Sequence, residues 1–176
     1  MPISLKISQR NIEQVSKELR DIVRRVSDLK PVLAEFGIHM VRSVEQTFQA
    51  GGRPAPWPPS IRALRQGGKT LIKTARLKNS IVASVTGPRT LRLGTNVAYA
   101  AIHQLGFAGN MTVPQHIRRV TRAFGRRLKT PTYATVRQHQ RLVHIPARPF
   151  LVAQAEDLEI LRGMLERHIA GSGQPG

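Results

Sequence analysis

The sequence contains no cysteine. Disulfide frameworks, thiolate metal sites and cysteine nucleophiles are therefore excluded for this chain. Long apolar runs are also missing: no window approaches the length of a membrane-spanning helix, and the N-terminal residues lack the apolar core of a signal peptide. We therefore expect a protein that is made in a cytoplasm and has no membrane contact.

Acidic residues are absent from the whole middle of the chain. No Asp or Glu occurs between positions 46 and 155, whereas 18 Lys and Arg fall there. The net charge is +18, and this middle region supplies the entire excess. A block of one charge sign indicates a polyanionic partner, or neighbouring subunits whose acids face the block. A merely soluble basic surface explains it less well.

The shortage of carboxylates also argues against an enzyme, because paired-acid chemistry would have to be assembled from the two ends of the chain. The six histidines lack metal-ligand spacing. Ser80 and His103 lack the glycine-flanked turn of a serine nucleophile. Residues 66–70 imitate a phosphate-binding loop, but Ala63 stands where that motif requires glycine. We therefore predict no catalytic residue, no cofactor and no metal site.

Apolar residues at the N-terminal end recur in alternating steps of three and four from Ile12 to Met40, which predicts helix. Asn11 is a suitable first cap, and Pro31 should divide the run into two helices. The second helix should end near Ala50, before two glycines. The heptad-like spacing leaves a coiled coil open, but packing into the core of a mixed domain is the interpretation we favour.

Residues 80–85 and 90–95 alternate in the manner of two strands of a hairpin, and 140–145 is expected to be a last strand that returns to the same sheet. Helical spacing returns at 99–106 and again from 151 to 169, before a tail at about 170–176 that should be loose. We therefore predict a single α+β domain over residues 1–176. Its N-terminal helices and C-terminal helix would pack on a small, mainly antiparallel sheet.

Residues 107–141 lose this regularity and form what we interpret as a protruding basic arm, either a long hairpin or a partly disordered segment. Lys and Arg contact phosphates without reading base sequence, so any DNA contact here should be nonspecific. The candidates for contact with DNA or with an acidic partner are Arg118, Arg119, Arg122, Arg126, Arg127 and Lys129.

Two segments are stiffened by proline. Residues 53–59 contain four prolines and must form an extended loop, in which Trp57 is either an anchor on the core or a partner contact, with the anchor favoured. Further along, two prolines flank Arg148, and Phe150 follows them. Because each proline fixes its own φ and restricts the residue before it, we expect a rigid helix entrance from which Arg148 is held out.

Four stretches follow one another along the chain: Thr47-Phe48 with the glycines and Trp57 beyond it, then 71–81, 99–106 and 145–151. Together they resemble the phage virion morphogenesis family, the tail-completion and head–tail joining proteins of Mu-like and related phages. That family often has glycine where this chain has Ala75.

The resemblance implies a structural virion protein, not an enzyme. Such a protein would be made in the host cytoplasm and form a ring, expected to be a hexamer or dodecamer, in the neck between the DNA-filled head and the tail. Its partners would be other neck, connector and tail proteins and, nonspecifically, the genome end. Trp57, Arg148 and Phe150 are then candidate subunit or partner contacts. The alternative is a stand-alone basic DNA-binding protein, which explains the charge but not the proline segments.

Overall fold

The computed structural model describes residues 9–171, with side chains from residue 13. The predicted loose tail therefore lies almost wholly outside the described residues. The chain divides into two compact units, one formed by residues up to 100 and from 149 onward, the other by 101–148. That the whole chain forms one domain stays a prediction. None of the described helices is long and apolar enough to cross a membrane.

The first unit begins with the two predicted helices, α1 (Gln9–Ser27) and α2 (Lys30–Ala50). Pro31 lies in the first turn of α2, where a missing amide hydrogen has no helical partner to lose. Gly51 ends α2 in the left-handed conformation with φ 78°, and its N–H donates to Phe48 O at 3.2 Å. The predicted division and the predicted end of α2 are confirmed.

This unit also contains the short helices α3 (Ile61–Gln66) and α4 (Arg76–Asn79), the longer helix α6 (Ala155–Ala170), and the strands β1 (Val82–Gly87) and β2 (Thr90–Gly94). The helix α5 (Ala100–Leu105) lies at the boundary between the units. β1 and β2 pair antiparallel, with α2 packed on them. Helices with small antiparallel sheets confirm the predicted α+β class.

The core of the first unit is built on three aromatic rings. Phe48 lies 5.3 Å from Phe150 and 5.5 Å from Trp57, measured between ring centroids. Leu77 and Ile81 are buried against them. Aromatic pairs at such distances add to the stabilisation gained from burying apolar area. The loop that carries Trp57 is therefore held by the core, as the favoured interpretation of that residue predicted.

The second unit is a long antiparallel hairpin. β3 (Phe107–Val113) pairs with β6 (His139–Ile145), and β4 (His116–Ala123) pairs with β5 (Arg126–Val136). The register continues across the short break between the two ladders, because Val113 faces His139 and His116 faces Val136. It shifts once, between Val120 and Arg122 of β4. The predicted return of 140–145 to the β1–β2 sheet is wrong, since the alternating pattern of β6 fits β3 equally well. That the hairpin protrudes stays a prediction.

Ala75, at the start of α4, has a left-handed backbone with φ 56°. This conformation crowds a Cβ at a cost of about 1–2 kcal/mol, which glycine avoids. We expect Ala75→Gly to raise the free energy of unfolding by about 0.5–1 kcal/mol in urea denaturation. Ala63→Gly, inside the helix α3, is the control and should lower it by a similar amount. Equal losses for both variants would contradict the argument.

Candidate interaction surfaces

A buried polar cluster joins the start of α6 to α2. The carboxylate of Asp157, 1% exposed, lies at its centre. Its Oδ1 is 2.7 Å from His39 Nε2, and its Oδ2 accepts hydrogen bonds from Ser43 Oγ and the Gln154 N–H, both at 2.8 Å. Burial alone raises the pKa of Asp157, but these hydrogen bonds and the His39 charge outweigh it and lower that pKa. Asp157 is therefore held as a carboxylate.

Arg53 extends this cluster to the proline-rich loop. Its Nη2 donates to Ser43 O at 2.8 Å and Ser43 Oγ at 2.7 Å, and its Nε donates to Thr47 Oγ1 at 3.1 Å. Its Nη1 lies 3.2 Å from the Glu156 carboxylate. The Ser43 hydroxyl therefore accepts a hydrogen bond from the Arg53 guanidinium and donates one to the Asp157 carboxylate. The loop, α2 and α6 are locked together by these bonds.

The cluster holds a serine, a histidine and an aspartate, but not in the order that activates a nucleophile. In a catalytic triad the histidine lies between the other two and accepts the hydroxyl proton. Here Asp157 lies between His39 and Ser43, and the Ser43 hydroxyl donates to the carboxylate. Ser43 is also only 3% exposed. The arrangement supports a structural role.

Arg148 is 5% exposed, so the expectation that stiff backbone holds its side chain out is wrong. Its N–H donates to His103 O at 2.7 Å, and its Nη1 donates to Pro146 O at 3.4 Å. The prolines do fix the backbone, but the side chain folds back onto a carbonyl of the same segment. Burial, and then the Arg148 charge, lower the pKa of His103. Arg148 is therefore tied into its own unit.

Trp57 and Phe150 are also inside the protein. Phe150 is 0% exposed and Trp57 is 7% exposed. The indole Nε1 of Trp57 donates to Pro149 O at 3.0 Å, so the loop and the segment before α6 fix one another. Burial speaks against the predicted partner contacts through these two rings and favours a role in the core.

The six basic candidates of the hairpin are brought together on β4 and β5, and all of them are exposed. Arg119 faces Tyr133 across the ladder, and Arg122 faces Arg127. The hairpin unit contains no Asp or Glu at all. Its positive charge is therefore not neutralised within the unit. These residues are Arg118, Arg119, Arg122, Arg126, Arg127 and Lys129.

Phe124 and Gly125 form the turn between β4 and β5. Both have positive φ, 51° and 77°, as the two-residue turns that suit a twisted hairpin require. Glycine adopts this conformation freely, but phenylalanine does so only against steric strain. Phe124 is also fully exposed. The hairpin therefore presents a strained, exposed aromatic ring at its end, beside its arginines.

Helix α1 carries an exposed apolar stripe. Val15 is 53% exposed, Leu19 is 57% exposed and Val23 is 64% exposed, although the helix packs on α6. The expected packing into the core is therefore correct for α2, where Val32 and Phe36 are buried, but wrong for α1. Helical spacing is the same in both helices, so periodicity alone did not separate them.

An apolar groove of about 600 Å³ opens between α2 and the β1–β2 sheet. Its lining is almost wholly aliphatic, and Arg42 is its charged member. Gly37 lies at the floor, where a Cβ would approach within 3.1 Å of Ala83 Cβ. Concave apolar surfaces of this kind commonly receive a side chain or a helix of a partner.

Comparison with known proteins decides the family. The model of the phage virion morphogenesis family matches residues 10–170. The chain belongs to this family. Among curated proteins, the Mu-like prophage FluMu G protein 2 of Haemophilus influenzae is 28% identical over 153 residues, which are 87% of each chain. No solved structure matches significantly.

Membership of the phage virion morphogenesis family confirms the resemblance drawn from the four sequence stretches. It gives the protein a structural or assembly role in a phage particle.

Two features of this family member were missed by sequence reasoning. The Asp157 cluster had a local signal, because Gln154 and Asp157 have the spacing of a capping box, and both of its bonds are formed. His39 and Ser43, one helical turn apart on α2, had no signal that linked them to it. Phe124 could have been found as the aromatic before a glycine between two basic strands.

Proposed function

We propose that this protein is a structural subunit of the head–tail connector, without enzymatic activity, that forms a ring joining the DNA-filled head to the tail during assembly. The observation that carries the proposal is a pair of exposed apolar surfaces in a virion morphogenesis protein: the α1 stripe and the groove beneath α2. Such surfaces on a highly charged chain are costly to leave in water unless a partner covers them.

The two surfaces differ in shape and suit head-to-tail contact between copies. The stripe is convex and helical, whereas the groove is concave, and a helix laid in a groove is a common mode of recognition. A contact between unlike surfaces is heterologous and gives a ring when the rotation closes. We expect six or twelve copies.

The ring would leave other surfaces for neck, connector and tail proteins. Trp57, Arg148 and Phe150 then act indirectly, by fixing the segment that leads into α6, since all three are buried. The virion neck or tail is the proposed location, after synthesis in the host cytoplasm.

Replacing Leu19 with Glu tests the contact. The side chain is 57% exposed, so the subunit should fold, but a carboxylate would be desolvated in an apolar groove. We expect subunit affinity to fall by about 100-fold or more and rings to disappear in native mass spectrometry and electron microscopy. Lys17→Glu, on the opposite face of α1, is the control and should leave rings intact. Unchanged rings of the Leu19→Glu variant would refute this contact.

A stand-alone basic DNA-binding protein is the second candidate, and the acid-free hairpin favours it. The same native mass measurement on the unmodified protein separates the two functions. A closed ring supports the connector subunit, whereas a monomer or dimer that binds DNA supports the alternative.

A further inference from the structure

We propose that the end of the hairpin, formed by β4, β5 and the Phe124-Gly125 turn, binds duplex DNA. In this arrangement the basic side chains contact phosphates, and Phe124 is an apolar wedge placed against the base pairs. The inference goes beyond the proposed ring and does not depend on it.

The charge of the hairpin favours a polyanionic partner from outside the protein. Residues 101–148 hold nine Lys and Arg and no acid. A second copy offers few uncommitted carboxylates, because six of its ten acids already lie beside basic side chains of their own chain. The remaining acids are Glu13, Glu18, Asp28 and Glu35. Duplex DNA instead offers one charge per about 1.7 Å along its axis.

The β4–β5 ladder brings arginine side chains close together, so that one phosphate could contact two of them. Arg122 and Arg127 stand directly opposite one another, as cross-strand partners. Like charges in that position repel and destabilise a hairpin unless an anion separates them. Arg118 and Arg119 are successive residues and therefore lie on opposite faces of the ribbon. A two-stranded ribbon can lie in a groove of duplex DNA, with phosphates on both sides.

Phe124 gives the second, independent observation. The ring is fully exposed at the turn, and its backbone has φ 51°, which phenylalanine adopts only under strain. Asparagine or glycine would form the same turn without that strain. Strain of this kind at an exposed position is a pointer to function. Proteins that bend DNA insert apolar side chains, phenylalanine among them, between base steps.

Fluorescence anisotropy of the full chain with a labelled duplex of mixed sequence tests the proposal. If about six phosphates are contacted, affinity should fall roughly 1,000-fold between about 50 and 200 mM salt. Arg122→Gln/Arg127→Gln should weaken binding and lower the salt slope by about two units. Arg89→Gln/Arg92→Gln, in the β1–β2 turn and on β2, removes the same charge elsewhere and should leave the slope unchanged. Equal effects of the two pairs would overturn the assignment.

Phe124→Asn tests the wedge separately. Asparagine tolerates the turn, so the hairpin should keep its fold, and we expect duplex affinity to fall about tenfold with an unchanged salt slope. Unchanged duplex affinity of this variant would overturn the proposed role of Phe124 as a wedge.

Two further probes identify the kind of polyanion. Tighter binding of a single strand of the same length would overturn the duplex assignment in favour of stacking on unpaired bases. Polyglutamate binding as tightly as the duplex would overturn DNA as the partner and point to an acidic protein.

Discussion

Replacing Asp157 with Asn is expected to lower the free energy of unfolding by about 3 kcal/mol at neutral pH. The carboxylate accepts from Ser43 and from the Gln154 amide and pairs with His39, while only 1% of the residue is exposed. Asparagine has no charge and one acceptor oxygen in place of two, so the hydrogen bonds from Ser43 and the Gln154 amide lose their charge assistance and His39 loses its anionic partner. Urea denaturation measures the loss.

The same variant should change the acid dependence of stability. The folded-state pKa of Asp157 is below its ordinary value of 3.8, so the unfolded chain takes up the proton first as pH falls. Its stabilising contribution is therefore fully present above 3.8 and is lost as pH falls through the lower folded-state pKa. Asp157→Asn should lack this part of the acid transition.

Glu159→Gln is the matched control for both measurements. Glu159 lies on the same helix, and its side chain is 74% exposed. Its exposed pairing with Arg162 should contribute well under about 1 kcal/mol. If Asp157→Asn and Glu159→Gln lowered stability equally, the buried cluster would not stabilise the fold through the Asp157 carboxylate.

Local rules predicted the parts of the fold that depend on neighbouring residues. Pro31 and the glycines after Ala50 set the bounds of α2 because they act through their own φ angles and missing donors. The turn between β1 and β2 is equally local. Even the single Trp57 was correctly interpreted as an anchor, because an extended proline loop gains order only from contact with a core.

What the sequence did not reveal depends on residues far apart. Asp157 and His39 are separated by 118 positions, so no spacing rule connects them. The pairing of β6 with β3 rather than with β2 likewise depends on topology. An alternating apolar pattern predicts a strand, but it does not predict which strand is its neighbour. Helix α1 shows the same limit. Its apolar stripe has the spacing of a core helix, but the spacing does not show whether the stripe packs against its own chain or against another protein.

Arg148 joins these two kinds of inference. The prolines around it were correctly interpreted as fixing the backbone, but the direction of its side chain is set by contacts that proline chemistry does not specify. The Arg148 N–H bonds to the carbonyl of His103 at the opposite end of the hairpin unit's sequence, so the segment closes that unit. Gly106 allows this approach, because a Cβ there would lie 2.9 Å from Ala147 N. A residue proposed to reach a partner thus first completes its own unit.

Replacing Phe150 with Ala should lower the free energy of unfolding by about 3–5 kcal/mol, because a fully buried ring is removed from contact with Phe48 and a cavity remains. In a protein of this size the melting temperature should fall by about 10 °C in calorimetry. Leu158→Ala removes an apolar side chain that is 56% exposed, and should cost about 1 kcal/mol or less. A Phe150→Ala subunit with nearly unchanged stability that failed to enter particles would instead restore Phe150 as a partner contact. Loss of stability together with loss of assembly supports the core role argued from its burial.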